Sequence, residues 1–160
     1  MPIATATNQQ FPSLSAAVVL YHSSLEQLEA LLGSLDKAAQ SIGADVPLYL
    51  VDQSQSAVYS EAVRGLIRKA GNASSLQLHY IARDSNDGYG AGHNTVLDKT
   101  LGDYHLILNP DVELSENALG QVAKSLQDHP DVTIIAPRGA NELGDEEHLA
   151  KRYPSVLVLL

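Results

Sequence analysis

Asn109-Pro110-Asp111 follows directly on the apolar run Leu106-Ile107-Leu108. A strand that ends this way sets one carboxylate at the carboxyl edge of a sheet, where open α/β sheets bind ligands. Pro110 has no backbone N–H and fixes its own φ, so the ladder stops there and Asp111 is turned toward a cleft. A hard oxygen ligand in that place suits Mg²⁺ or Mn²⁺, which are commonly held by one or two carboxylates together with substrate phosphates. Three other predicted strand ends carry polar groups: Tyr21-His22, Asp52 and the stretch from Asn86 to Asn94. Their coincidence along one edge says more than any of them singly. Taken alone, Asp52 reads equally well as a helix cap or a turn former.

Residues 86–94 read Asn-Asp-Gly-Tyr-Gly-Ala-Gly-His-Asn. After Gly88 and Gly90 the dinucleotide fingerprint would need a glycine where His93 stands, and it would follow the first strand rather than the third. No Gly-Lys-Ser/Thr step closes the loop as a Walker A sequence. Two readings remain: a loop whose glycines let the backbone approach a ligand, with Tyr89 placed to stack, or a tight loop into a helix. The histidines show no i, i+4 pair and no His-Glu-x-x-His, which argues against a histidine zinc site. His79 and His105 fall inside predicted strands, while His22 and His93 fall at the cleft and are candidate ligand contacts. No Ser-His-Asp arrangement can be assembled.

These groups need a frame, and the hydrophobic pattern supplies one. Ala16 to Tyr21 is a buried-strand run, and Ser23 or Ser24 then caps a helix with Leu25, Leu28, Leu32, Leu35 and Ala39 on one stripe. Ser24 with Gln27 fits a capping box, and Gly43 is the stop. Val46 to Val51 is the next strand, closing with Asp52. A second helix carries Val58, Ala62, Leu66 and Ala70 and stops at Gly71-Asn72. Leu76 to Ile81 is a third strand whose partial alternation places it nearer an edge. Asp84 to Gly92 reads as a loop, Asn94 to Lys99 as a short helix, and Tyr104 to Leu108 as the fourth strand. Ser115 caps a helix with Leu119, Val122 and Leu126, stopped by His129-Pro130-Asp131, and Val132 to Ala136 is the last expected strand. Such alternation predicts an α/β, Rossmann-like fold: a mostly parallel sheet with helices on both faces.

The chain has 160 residues and no cysteine, enough for one core without a disulfide and consistent with a reducing compartment. Residues 1–83 carry 5 Lys/Arg against 6 Asp/Glu and residues 84–160 carry 5 against 13, net −1 and −8 of the total −9. Nucleic-acid binding, which draws its affinity from clustered Lys and Arg, is therefore not expected. An anionic ligand would need a cation to meet the acidic half. No segment reaches the ~18 apolar residues of a membrane span. Residues 1–15 are polar with Pro2 and Pro12 and read as a flexible lead-in rather than a signal peptide.

The run Ala17-Val18-Val19-Leu20-Tyr21-His22-Ser23-Ser24, then Leu50-Val51-Asp52-Gln53-Ser54, then Asn86-x-Gly88-Tyr89-Gly90-Ala91-Gly92-His93-Asn94, then Leu108-Asn109-Pro110-Asp111, resembles the family 2 glycosyltransferases. The resemblance covers residues 16–160 and is strongest to a rhamnosyltransferase-like branch in which Asn-Pro-Asp replaces Asp-x-Asp. Lys151-Arg152-Tyr153-Pro154-Ser155 is similar to a segment of that branch. The resemblance implies the donor-binding half of a GT-A fold over residues 16–160, with the nucleotide-diphospho-sugar donor as its partner. It also implies roles for the residues. Tyr21 lies beside the nucleotide, Asp52 reaches the base, and the loop with Asn86, Gly88, Tyr89 and Asn94 lines base and ribose. Asn109 and Asp111 stand in for Asp-x-Asp, with Asp111 holding Mg²⁺ or Mn²⁺ against the diphosphate.

By the same resemblance the activity is inverting glycosyl transfer to a glycan or lipid-linked acceptor in cell-surface polysaccharide synthesis, with dTDP-rhamnose as the candidate donor. The protein would be cytoplasmic, or peripheral to the inner membrane face in a longer parent. Gln53, His22 and His93 depart from residues common in the family. The family's catalytic base comes from a downstream acceptor-binding segment, so no residue here is assigned that role. The apolar end Val156 to Leu160 suggests a truncated domain and self-association. Two other readings stand beside it: a non-catalytic nucleotide-sugar module, and a metal-dependent phosphohydrolase using Asp52 or Asp111. The last is weakened by the lack of a paired Asp-x-Asp nucleophile and acid.

Overall fold

A computed structural model describes residues 11–70, 74–99, 101–137, 139–140 and 146–147. The chain divides into two compact units, Met1–Gln121 and Val122–Leu160. In the first, the elements are β1 (Leu14–Leu20), α1 (Leu25–Ser41), β2 (Val46–Asp52), α2 (Ala57–Ala70), β3 (Leu76–Ala82), α3 (Tyr89–Asn94) and β4 (Tyr104–Leu108), and α4 (Ala118–Asp128) begins there. The strands form one parallel sheet in the order β3-β2-β1-β4. The second unit holds a two-residue antiparallel ladder, β5 (Gly139–Ala140) with β6 (Glu146–Glu147).

All seven residues of β1 are buried, as expected for a central parallel strand covered on both faces. Alternation sorts its side chains. Leu14, Ala16, Val18 and Leu20 join Leu28, Leu31 and Leu35 of α1, Val63 of α2 and Leu119 of α4 in the larger core. Ala17 and Val19 face the other way, into a smaller cluster with Tyr49, Val51 and Val96. Helices thus cover both faces of the sheet, three on one side and the short α3 with its following turn on the other.

α1 forms where its apolar spacing predicts. Ser24 Oγ accepts the Gln27 N–H at 3.3 Å, one half of the expected capping box, and Gly43 follows the helix at φ 63°. The helix also fixes the chain beyond β4. Ser34 Oγ accepts the Leu114 N–H at 3.1 Å, and Ser41 Oγ lies 2.8 Å from the Glu116 carbonyl oxygen. β3 lies at one end of the sheet order, matching its partial alternation.

Several expectations are corrected. The short helix is Tyr89–Asn94, not Asn94 to Lys99. The glycine stretch itself is helical, because tertiary contacts described below hold it, while Val96 and Leu97 donate only to residues three back in closing turns. Ser115 does not cap α4 with its side chain. The helix starts at Ala118, after a turn in which the Ala118 N–H meets the Ser115 carbonyl at 2.9 Å. Val132 to Ala136 is not a strand, and Val132 and Ile134 are exposed. Alternating apolar residues supply a face but not a partner for their backbone groups. The predicted stop Gly71-Asn72, the segment Lys151 to Ser155, the end Val156 to Leu160 and residues 1–10 lie outside the described residues.

Leu50 is fully buried in the larger core on the second strand of the sheet. Leu50→Ala is expected to lower stability by about 2–5 kcal/mol, read as a reduced urea midpoint with an unchanged slope.

Candidate functional site

The order β3-β2-β1-β4 reverses direction at β1, so a crevice opens beyond the carboxyl ends of β1 and β4. Register brings the four polar strand ends to one edge. Leu20 lies opposite Asp52, Asp52 opposite Ala82, and Val18 opposite Leu108. Tyr21 and Asn109-Pro110-Asp111 thus leave neighbouring strands side by side, with Asp52 one strand over. β4 ends at Leu108 and the chain turns through Pro110 and Asp111, as the proline requires.

Asp52 is buried, 2 % exposed, and its carboxylate is densely bonded. Oδ1 accepts the Ser54 N–H at 2.8 Å; Oδ2 accepts the Ser60 hydroxyl at 2.8 Å and the Tyr80 hydroxyl at 2.5 Å. Burial raises its pKa, but the hydrogen bonds from Tyr80, Ser54 and Ser60 outweigh burial and hold the group below the ordinary carboxylate value. The turn-forming role foreseen for this residue is therefore real.

Beside it runs an aromatic shelf. The Tyr21 and His22 ring centroids are 5.0 Å apart, and those of His22 and Tyr59 are 5.7 Å apart. Tyr21 is 56 % exposed, and His22 sits at φ 52°, a left-handed conformation that is uncommon outside glycine and recurs at functional sites. Burial and the nearby Asp52 charge push the Tyr59 phenol pKa up. Tyr59 had no signal in the sequence beyond its place on α2.

Gln53 is the site residue that sequence reasoning passed over as a mere departure from a family pattern. It is 1 % exposed, and its side chain ties β2 to the glycine loop. Oε1 accepts the Asp87 N–H at 3.0 Å and Nε2 donates to the Gly88 carbonyl at 3.1 Å. Asn86 Oδ1 accepts the Gly88 N–H at 3.1 Å, and Gly88 at φ 90° turns the chain into α3. Arg83 donates to Thr95 Oγ1 and to Asp87 Oδ2, each at 2.5 Å. Gly92 faces the sheet: a Cβ there would lie 2.6 Å from Val19 Cγ2 and 2.7 Å from Gln53 Nε2. A helix of six residues with two glycines has little propensity of its own, so these contacts make it.

One turn of α3 links the loop to the opposite wall. The Tyr89 ring meets His93 edge to face at 4.4 Å between centroids, and burial together with the Asp111 charge pushes the Tyr89 phenol pKa up. Tyr89 thus stands near Asp111. His93 is buried, and among the described residues neither ring nitrogen has a partner. Burial, then the neighbouring His105, hold its imidazole below the usual value. Asn94, Asn109 and Asp111 are exposed. Asp111 makes no ion pair among the described residues, and no group of three or more His, Asp or Glu that could hold a metal occurs among them. The residues present therefore fit a divalent cation in one mode: a single carboxylate, with the remaining ligands from a substrate's phosphates and water.

Gly92→Ala should destabilise by about 1–3 kcal/mol, because Val19 and Gln53 must move, whereas Gly90→Ala, with nothing within 4 Å of its Cβ, should not; urea unfolding of both variants reads the contrast. The lowered His93 pKa also has a sign. The unfolded chain takes up the proton first, so His93 contributes stability above about pH 6.5 that is lost as pH falls below it. His93→Asn should lose less stability than the native chain between pH 7.5 and 5, measured by urea midpoints.

The family model for glycosyl transferase family 2 matches residues 15–158. The mannosyltransferase PcManGT from Pyrobaculum calidifontis, solved with GDP-Man and Mn²⁺, is similar at TM-score 0.62 and 19% identity, over 76% of this chain and 34% of that one. S. aureus TarS 1-349 is similar at TM-score 0.58 and 22% identity, over 74% and 33%. Its complex with UDP gives 0.56 and 21% over 74% and 33%. These likenesses establish the shared fold, and the chain spans 33–34% of the length of those structures. No curated protein matches. With the family model running from the second residue of β1 past the last described residue, the chain belongs to glycosyl transferase family 2.

Proposed function

We propose that this chain is the donor-binding part of a glycosyltransferase that uses a nucleotide-diphospho-sugar. dTDP-rhamnose is the candidate donor, transfer inverts the anomeric centre, and the acceptor is a glycan or lipid-linked precursor of a cell-surface polysaccharide made on the cytoplasmic side. The observation that carries the proposal is the exposed carboxylate of Asp111 in the β1/β4 crevice, which has no ion-pair partner among the described residues. It lies beside Tyr89, with Asp52 and an aromatic shelf on the neighbouring strand ends. The similar mannosyltransferase structure, which holds GDP-Man and Mn²⁺, is consistent with this.

Each group then has a task. Tyr21 and His22 offer ring faces on which a base stacks. Asp52, kept ionised, accepts a base N–H. The Asn86 to Asn94 loop, held rigid by Gln53, lies along the base and ribose. Asn109 and Asp111 face the diphosphate. A divalent cation bound with the donor would neutralise the charge that develops on the leaving diphosphate. Asp111 would hold that ion, which also answers how an acidic half receives an anion. Tyr89 and its packed partner His93 exclude water from that side. No described residue is assigned the role of acceptor base.

Calorimetry with UDP or dTDP tests the reading. Binding should strengthen with Mn²⁺, and Asp111→Asn should remove the Mn²⁺-dependent part, a loss of about tenfold or more in affinity, while metal-free binding stays near native. Metal-dependent binding that survives Asp111→Asn intact would take Asp111 out of the site.

A further inference from the structure

β3 closes one end of the sheet, and among the described residues no strand pairs with its outer edge. The Val46 N–H meets the Ser75 carbonyl and the Arg83 N–H meets the Asp52 carbonyl, both at 2.8 Å, so the odd positions of β3 bond inward to β2. The backbone groups of Leu76, Leu78, Tyr80 and Ala82 therefore point outward. Natural edge strands are commonly blunted by a charge, a proline, a bulge or sheer shortness. The seven residues Leu-Gln-Leu-His-Tyr-Ile-Ala, in unbroken register with β2, carry none of these. A depression of about 640 Å³ runs along the strand from Leu78 to Ile81, between Tyr49 and Lys99, with room for the side chains of another strand.

α2 straddles the last two strands. Ser60 bonds Asp52 of β2, and the Arg64 guanidinium lies over the Tyr80 ring of β3, 4.2 Å from its centroid. Arg64, near the middle of the helix, thus sits level with Tyr80 of the strand. Glu61 and Arg68 share its stripe, one turn before and one turn after it. They pair with each other at 2.7 Å, with side chains 66 % and 65 % exposed. The stripe is therefore acidic toward the start of α2 and basic toward its end.

We propose that the β3 edge and the exposed stripe of α2 form the interface of a two-fold dimer of this chain. A two-fold axis normal to the sheet at Tyr80 sets β3 antiparallel to its copy, and the two sheets become continuous. Tyr80 then exchanges backbone hydrogen bonds with the partner's Tyr80, and Leu78 stands opposite the partner's Ala82. The same axis lays the two α2 helices antiparallel at roughly 10 Å, an ordinary helix packing distance. Glu61 meets the partner's Arg68, and Arg68 meets the partner's Glu61. Each Arg64 stays over its own Tyr80 ring. One symmetry operation thus answers both the open backbone and the charge order of α2, which is why the occupant is a second copy. β3 and β4 lie at opposite ends of the sheet order, so the dimer leaves the β1/β4 crevice open.

Sedimentation equilibrium of the native chain should show a dimer with Kd below about 100 µM. Glu61→Arg and Arg68→Glu each set like charges against each other on both sides of the axis and should raise Kd about tenfold or more. An equimolar mixture of these two variants restores opposite charges at both places and should dimerise about as tightly as the native chain. A pair that served only its own helix would not be rescued by mixing. Gln77→Lys puts a charge on the exposed face of β3 and should also weaken the dimer, with no rescue from either partner. All three positions are exposed, and circular dichroism shows which variants are folded. A native chain still monomeric at about 500 µM, a Kd unmoved in the folded variants, or a mixture no tighter than its components overturns the proposal.

Discussion

A strand hydrogen-bonded along both edges and covered on both faces cannot slide by one residue without turning its side chains inside out. β1 is in that position, paired with β2 on one side and β4 on the other and buried throughout. A slip would carry Val18 and Leu20 from the core they share with Leu28 and Leu50 to the face where α3 lies. The same register sets Leu20 against Asp52 and Val18 against Leu108. Apolar packing therefore decides which polar loops meet, and the site inherits its geometry from a strand that contributes only Tyr21 and His22 beyond its end.

On that frame the two carboxylates are treated in opposite ways. Asp52 is withdrawn from water and compensated by donors from the loop after β2, from α2 and from β3. A buried charge with such partners is tolerable and, once made, stiffens everything that bonds to it. Asp111 keeps its exposure and lacks a cationic neighbour among the described residues. Under the proposed reading, rigidity falls on the side that would meet the base, and openness on the side that would receive an ion.

Much of this was legible in the chain because it follows from local chemistry. Pro110 ends β4 by what it lacks, and the spacing of Leu28, Leu32 and Leu35 can serve only a helix stripe. Ser24 and Gly43 mark the limits of that helix as capping chemistry predicts. What stayed hidden depends on residues far apart in sequence. The helicity of the glycine stretch comes from Val19 and Gln53, so no window around Gly90 contains the reason for it. Gln53 gave no signal as a tie because its partners, Asp87 and Gly88, lie 34 and 35 positions away. Asp52 could be seen as a turn former or a ligand contact, and the structure makes the first concrete. Val132 to Ala136 failed as a strand for the converse reason: its pattern was local and sound, but pairing is not a local property.

The dependence of α3 on its surroundings fixes an order of assembly. Six residues with two glycines do not nucleate a helix, and the surfaces that stabilise this one, Val19 and the Gln53 amide, exist in position only after β1 and β2 have paired. The wall of the crevice that carries Tyr89 is therefore among the last parts of the first unit to fold and among the first to open. Slow amide exchange in α3 would report a sheet already in register beneath it, so that a measurement on one short helix reads the integrity of the whole cleft.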